Sequence, residues 1–441
     1  MNLSNRQLTY RKRKNQVRPY RIVILVAILI ALLFVLRGIR NEQIKPLFLP
    51  TPVPTRTASS FADEGETQFE AGNLNAAILA YQEAVKLDPT NGDLAAKLAR
   101  IQVYSSAMLT TDAEKKARLD EALITINQAK EVDPENSTVR AVRAFVLDWY
   151  SSLSLVDSKE AELLLLEANQ EAVAALQFDN QNTLALAYYA EILNDQMNWL
   201  QAEQYINQAL QRDSSIMDVH RVNAIIQETL SNYNLAIEAY KRAAEITPNL
   251  TFLYISIGVN YRQLEQYQMA LDYFARAAEI NSTLQINDPI PYLAIGRTYA
   301  QMGEFFAASR NVMRALQLNP SNPDMYGQIG VIYYKARNYE GAIPALECVA
   351  DGCSPALSCE VRQCDEGVDP QITINPLPLT SSTLEYYLYY TSALAGMHRT
   401  GDDYCERARP HLRQLRSQFP DEPVVIQLVQ ANEDICGFAS P

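Results

Sequence analysis

Residues 251–282 read TFLYISIGVNYRQLEQYQMALDYFARAAEINS. Aromatic and small residues sit in fixed places along this stretch: Tyr254, Gly258 and Tyr261 in its first half, and Tyr267, Ala270, Phe274 and Ala277 in its second. Spacings of three and four residues put each set on one face of a helix, and small residues let two such faces approach closely. The stretch therefore predicts a pair of antiparallel helices.

The pattern recurs outward in both directions from this stretch. A helix-ending signal, a polar residue followed by Pro, Ser or Asn after an Ala-rich amphipathic run, returns at Pro89, Pro134, Asn180, Ser214, Pro248, Ser282, Pro320 and Ser354. The intervals are 45, 46, 34, 34, 34, 38 and 34 residues. The unit ending at Pro320 repeats the small and aromatic places with Tyr292, Gly296, Tyr299, Gly303, Phe305, Ala308 and Ala315. The first unit does so with Phe61, Gly65, Phe69, Gly72, Leu74, Ala77, Tyr81, Ala84 and Pro89, and the eighth with Tyr326, Gly330, Tyr333, Tyr339 and Ala342. Repetition on this period predicts an all-α solenoid, a superhelix of stacked helical hairpins that needs no single large core. The two long intervals predict lengthened helices or inserted loops near Leu109–Ala113 and Ser154–Ser158. A ninth, degenerate unit is expected from Ser381 to Pro420, with Gly396 and Ala408 at small positions and Glu422–Ile435 as a closing helix.

In these residues the chain resembles the tetratricopeptide repeat family over most of Phe61–Cys348. The resemblance implies helical hairpins whose first helices line a concave groove, and a groove that binds extended peptides or helices of partner proteins. Carried over position by position, it assigns Glu191, Asn194 and Asp195 to the groove in the fourth unit and Arg221, Ile225 and Glu228 in the fifth. The sixth unit contributes Ile255, Val259, Arg262 and Gln263, the seventh Leu293, Arg297 and Gln301, and the eighth Val331, Tyr334 and Lys335. These groove positions would string Arg221, Arg262, Arg297 and Lys335 along one strip, either as a basic track or as solvated residues pairing with nearby acids. The Lys and Asn pattern of the family's carboxylate-clamp members is not reproduced, so that activity is not implied.

The N-terminus has a different character. Residues 1–21 carry seven basic residues and no acid, whereas the rest of the chain holds 31 basic against 51 acidic residues, a charge of -20. A body so acidic repels phosphate backbones, so no nucleic-acid partner is expected. Ile22–Leu36 is an apolar run of fifteen residues, extended to residues 20–39 if Arg21 and Arg37 reach the two interfaces. This is one N-terminal transmembrane helix or a signal peptide. The residues that follow, Arg37, Gly38, Ile39, Arg40 and Asn41, offer no small-x-small cleavage site, which favours an uncleaved signal anchor. Seven preceding basic residues leave residues 1–21 in the cytoplasm and the solenoid outside a cytoplasmic membrane. Residues 40–60, with Pro46, Pro50, Pro52 and Pro54, form an extended linker. The solenoid proper is expected over residues 61–349, a Cys- and Pro-rich insertion over 350–380, and the terminal repeat with its cap over 381–436.

The six cysteines, Cys348, Cys353, Cys359, Cys364, Cys405 and Cys436, all lie in the last quarter of the chain. In an exported domain an even number so concentrated reads as disulfides, with Cys405–Cys436 the favoured pair and the other four bridging the insertion. Zinc bound by the first four, at spacings without the usual C-x2-C knuckles, and free core thiols are the alternatives. Three histidines, His220, His398 and His411, fall in no catalytic motif, although His398 and His411 lie near Asp402, Asp403 and Cys405. No enzyme, metal, cofactor or small-molecule substrate is expected. The function that follows is a membrane-tethered scaffold binding a protein or peptide partner. The alternative is a structural accessory subunit of a cell-envelope assembly for secretion, export or division.

Overall fold

The computed structural model describes residues 19–40, 56–365 and 367–438. The basic cluster up to Arg18 and the proline cluster of the linker lie outside these residues. Among the described residues there are 21 α-helices and no β-strand. They fall into two compact units divided between Arg56 and Thr57. The first contains α1 (Pro19–Arg40), within which the 20 residues Pro19–Gly38 are long and apolar enough to cross a membrane by length and composition.

The second unit is a series of helical hairpins. In chain order they are α2 (Ala58–Glu70) with α3 (Leu74–Leu87), α4 (Gly92–Ser106) with α5 (Asp112–Val132), α6 (Ser137–Ser151) with α7 (Ser158–Phe178), and α8 (Thr183–Asp195) with α9 (Trp199–Arg212). Then follow α10 (Met217–Thr229) with α11 (Tyr233–Ile246), α12 (Thr251–Gln263) with α13 (Tyr267–Thr283), α14 (Ile290–Gln301) with α15 (Phe305–Leu318), and α16 (Pro323–Lys335) with α17 (Tyr339–Ala350). A short α18 (Pro355–Arg362) lies in the Cys-rich insertion. Beyond it α19 (Leu384–Met397) and α20 (Tyr404–Gln418) form a ninth hairpin, against which α21 (Pro423–Ile435) packs.

Local chemistry explains where the helices begin and turn. The side chains of Asn73, Asn91, Asn136, Asn182 and Asn322 accept backbone N–H bonds at the starts of α3, α4, α6, α8 and α16, and Thr111 with Glu114 closes a capping box on α5. Between the helices of a hairpin the chain passes through the left-handed region, at Gly72 and Gly303 but also at Met197, Ser231, Glu265 and Arg337. The small positions are close approaches. A Cβ on Gly258 would lie 2.4 Å from the Phe274 ring, and one on Gly330 would lie 2.6 Å from Leu346. The long repeat intervals have both expected causes. α5 and α7 run 21 residues where α3, α9 and α11 run 14, and the loops before them are longer as well.

The superhelix winds tightly enough to meet itself. Asn249, in the loop after the fifth hairpin, donates to the Glu70 carbonyl at 3.2 Å, and Asn319 donates to the Thr110 hydroxyl at 3.0 Å. The Tyr104 ring of α4 stacks on Phe252 of α12 with centroids 5.3 Å apart. These contacts join hairpins that lie far apart in sequence.

Candidate partner-binding cavity

Because the first superhelical turn is so tight, the inner faces of its first helices touch each other instead of enclosing open space. Tyr104, Phe145, Trp149 and Tyr188 fill the axis, with Phe145 and Tyr188 stacked at 4.4 Å. Arg221 is sandwiched among them, its guanidinium 5.1 Å from the Phe145 ring centroid, and is paired with Glu191 at 2.6 Å. Asp218 takes hydrogen bonds from Arg100, Tyr104 and Tyr188. Burial alone would raise the Asp218 carboxyl, but the Arg100 and Arg221 guanidiniums and the Tyr104 hydroxyl outweigh it and hold the group at about 2. Beside them Asp148 is buried, and its Oδ1 has no hydrogen-bond partner among the described residues. Burial, then the negative Asp195 and Glu191, push its carboxyl well above the ordinary range.

Arg221 is therefore not a groove residue, and the strip of four basic side chains is interrupted at its first member. A charge of that size is tolerated on the axis only because Glu191 and three aromatic faces surround it. Leu293 is likewise part of the core, while Ile255 and Val259 are half-buried and pack against the core of the first turn. Tyr334 packs between Tyr339 and Tyr389, with centroids 5.2 and 4.6 Å away.

Past α12 the interior opens. A cavity of about 1130 Å³ is bounded on one side by α12, α14 and α16, through Arg262, Arg297, Val331 and Lys335. A second wall comes from Thr110–Lys115 with Ser154 and Leu155, and a third from Leu377–Thr383 with Glu385 and Tyr386. Five of the groove residues named from the sequence, Arg262, Arg297, Gln301, Val331 and Lys335, thus line one cavity. The second wall consists of the loops inserted in the two long repeats and their neighbours. Their excess length was visible in the sequence, but the space they reach, across more than 200 residues of chain, was not. The third wall carried no sequence signal beyond its place in the insertion.

The charges on these walls are partly matched. Lys335 pairs with Glu385 at 3.0 Å and Lys115 with Asp112 at 3.9 Å. Arg297 donates its Nε to Gln328 at 3.0 Å, Gln328 donates to Asp324, and Asp324 also accepts from the Tyr386 hydroxyl. Arg262 has no hydrogen bond or ion pair among the described residues, and lies 5.9 Å over the Phe274 ring. Burial, and then the neighbouring Arg297 charge, lower its pKa.

The structure pairs all six thiols as Cys348–Cys353, Cys359–Cys364 and Cys405–Cys436. An isolated bridge between Cys353 and Ile374 lays the far side of the insertion alongside the first of these pairs, and the Leu377 amide bonds back to the Val349 carbonyl at 2.9 Å. The third cavity wall is anchored in this way. The histidines are all engaged locally: His411 meets Asp351 at 3.0 Å, His398 meets Asp402 at 2.8 Å, and His220 reaches the Ser214 carbonyl at 2.9 Å.

Family models described as tetratricopeptide repeat match residues 58–91, 224–250, 253–283 and 293–356. Among solved structures, the human IFIT1 dimer with m7Gppp-AAAA is 15% identical, with 85% of this chain covering 81% of that one at a TM-score of 0.52. The APC/C hetero-tetramer Cut9-Hcn1 is also 15% identical at a TM-score of 0.49, and 70% of this chain covers 54% of that chain, about half its length. PilF of Pseudomonas aeruginosa is 18% identical over 60% of this chain and 98% of its own, at a TM-score of 0.41. At these identities the likeness is one of fold.

Proposed function

We infer, from the premise that this chain is a tetratricopeptide-repeat protein, that it is a membrane-tethered scaffold holding a partner protein in the cavity between α12, α14, α16 and the Cys-stapled insertion. Tetratricopeptide repeats make protein–protein interaction scaffolds, and the observation that supports this place for the contact is the cavity itself. Along the first superhelical turn the inner faces are filled by their own aromatic side chains, so a partner has no room there. In this reading α1 anchors the protein in a cytoplasmic membrane with residues 1–21 inside and the solenoid on the outer face. Three disulfides support that side, because such bonds persist in oxidising compartments.

Two measurements test the reading. Protease added to spheroplasts is expected to digest the solenoid and leave the anchor with its N-terminal segment protected; a protected solenoid would reverse the topology. A p-benzoylphenylalanine placed at Ser382, on the cavity wall, is expected to crosslink one protein in cells, whereas the same group at Gln414 on α20 is not. Equal crosslinking from the two sites would remove the cavity from the interaction.

A further inference from the structure

We propose that Arg262 and Arg297 form an anion-recognition pair that receives the carboxylate side chains of an acidic, extended segment of the partner protein; this rests on the cavity being the partner site inferred above. The charges on the cavity walls single out these two residues. Of its four cations, Lys115 and Lys335 are matched by Asp112 and Glu385. The remaining carboxylate, Asp324, is taken up by Gln328 and Tyr386. Arg262 and Arg297 face the same space with no carboxylate partner among the described residues. Two like charges side by side repel, and an anion placed between them removes that cost.

Arg297 is also held in position. Its Nε is fixed by Gln328, Gln328 by Asp324, and Asp324 by Tyr386 of α19, so the terminal amino groups are left to act as donors. A guanidinium oriented before binding loses little freedom when a carboxylate docks, and its paired donors match the two oxygens. The setting sharpens the preference. These walls carry four cations against three anions, inside a body whose charge is -20 beyond residue 21. A nucleic acid would bring many further phosphates against that body, whereas a short acidic segment brings its charge to a cavity whose lining holds more cations than anions.

Size and the remaining lining argue for a peptide segment over a small anion. A volume of about 1130 Å³ lies above the usual range of small-molecule clefts, roughly 300–1,000 Å³. The other polar groups are neutral hydroxyls and amides such as Thr111, Ser154, Gln301 and Ser382, spread over all three walls. Spread out in this way, they suit the N–H and C=O groups of an extended backbone, which recur along its length.

The test uses the full chain in detergent micelles with fluorescein-labelled hexaglutamate, hexaglutamine as control, and inorganic phosphate as competitor. Hexaglutamate is expected to bind at least about tenfold more tightly than hexaglutamine, and to weaken as NaCl rises from about 50 to about 500 mM. The R262Q/R297Q double variant should lose that tenfold preference with an unchanged circular dichroism spectrum. Q328L, which frees Arg297 without removing its charge, should lose part of the preference while keeping the salt dependence. Equal binding of the two peptides to the wild type overturns the proposal without reference to any variant. So does phosphate binding at these arginines without hexaglutamate binding, which would mark a small-anion site. Crosslinking from Ser382 that disappears in the double variant supports the pair as the partner's anchor. Crosslinking that persists unchanged overturns the pair and leaves the partner site standing, and no crosslink from Ser382 in the wild type overturns the partner site together with the occupant proposed here.

Discussion

Arg221 grips Glu191 through two parallel hydrogen bonds of 2.6 and 2.7 Å, and both side chains are almost wholly removed from water. The pair joins α10 to α8 across the axis of the first superhelical turn, and Trp149 of α6 donates to the same carboxylate at 3.2 Å. Removing one partner strands a buried charge, which typically costs about 3–5 kcal/mol. The E191Q and R221M variants are each expected to lose about that much in urea unfolding. The double variant E191L/R221M should recover most of it, because apolar groups of similar volume need no desolvated partner. Additive losses in the double variant would show that the two residues act separately.

Asp148 makes the opposite prediction with pH. Its carboxyl is held above the ordinary value by burial and by the negative Asp195 and Glu191, against the opposing Arg221. A carboxyl whose folded pKa is raised binds its proton more tightly when folded, so its contribution is favourable below the unfolded value near 3.8 and is lost as pH rises from there through the folded pKa. D148N removes that loss. It is expected to stabilise the protein by about 1–2 kcal/mol at pH 8 and by little at pH 4, read as the pH dependence of the urea midpoint. A stabilisation equal at both pH values would place the cause in packing.

The turns inside the hairpins leave room for improvement. Glu265 and Arg337 occupy left-handed backbone at φ 58° and 60°, where Gly72 and Gly303 stand in equivalent turns. A side chain there costs roughly 1–2 kcal/mol, partly offset by the extra freedom glycine has when unfolded. E265G and R337G are each expected to raise stability by about 0.5–1 kcal/mol. A fall in melting temperature for both would show that the side chains make compensating contacts.

The three disulfides should differ in value. Cys405–Cys436 closes a separation of 31 residues between α20 and the end of α21, whereas the other two each close 5. Loop entropy then assigns the long bridge about 3–4 kcal/mol and each short one about 2. C405S/C436S is expected to cause the largest loss, with amide exchange rising first in α21. A larger loss from C348S/C353S would show that this bridge acts chiefly by holding the insertion.

Much of the architecture could be read from the chain. Tyr254, Gly258, Tyr261 and Phe274 implied a close helical hairpin, and Gly258 does meet Phe274 within the distance such packing demands. These are contacts between residues about sixteen apart, and period and residue size suffice to specify them. The Cys405–Cys436 bridge was legible for a similar reason, since two neighbouring helices of the last repeat bring the residues together. Arg221 misled because the repeat pattern places it, like Arg262 and Arg297, on the inner face of a first helix. Offset decides which face of a helix a residue occupies, but not whether that face meets solvent or another turn of the superhelix.

The hairpins, their order and the apolar N-terminal helix follow from the order of residues alone, because each depends on interactions within one unit or between adjacent units. Where the axis is filled and where it is open depends instead on the winding of the whole superhelix. Small rotations from one hairpin to the next accumulate until Tyr104 meets Phe252 and Thr110 meets Asn319, and no local pattern records that sum. The long loops at Thr110 and Ser154 and the stapled segment at Leu377–Thr383 become the walls of one cavity through the same accumulated winding.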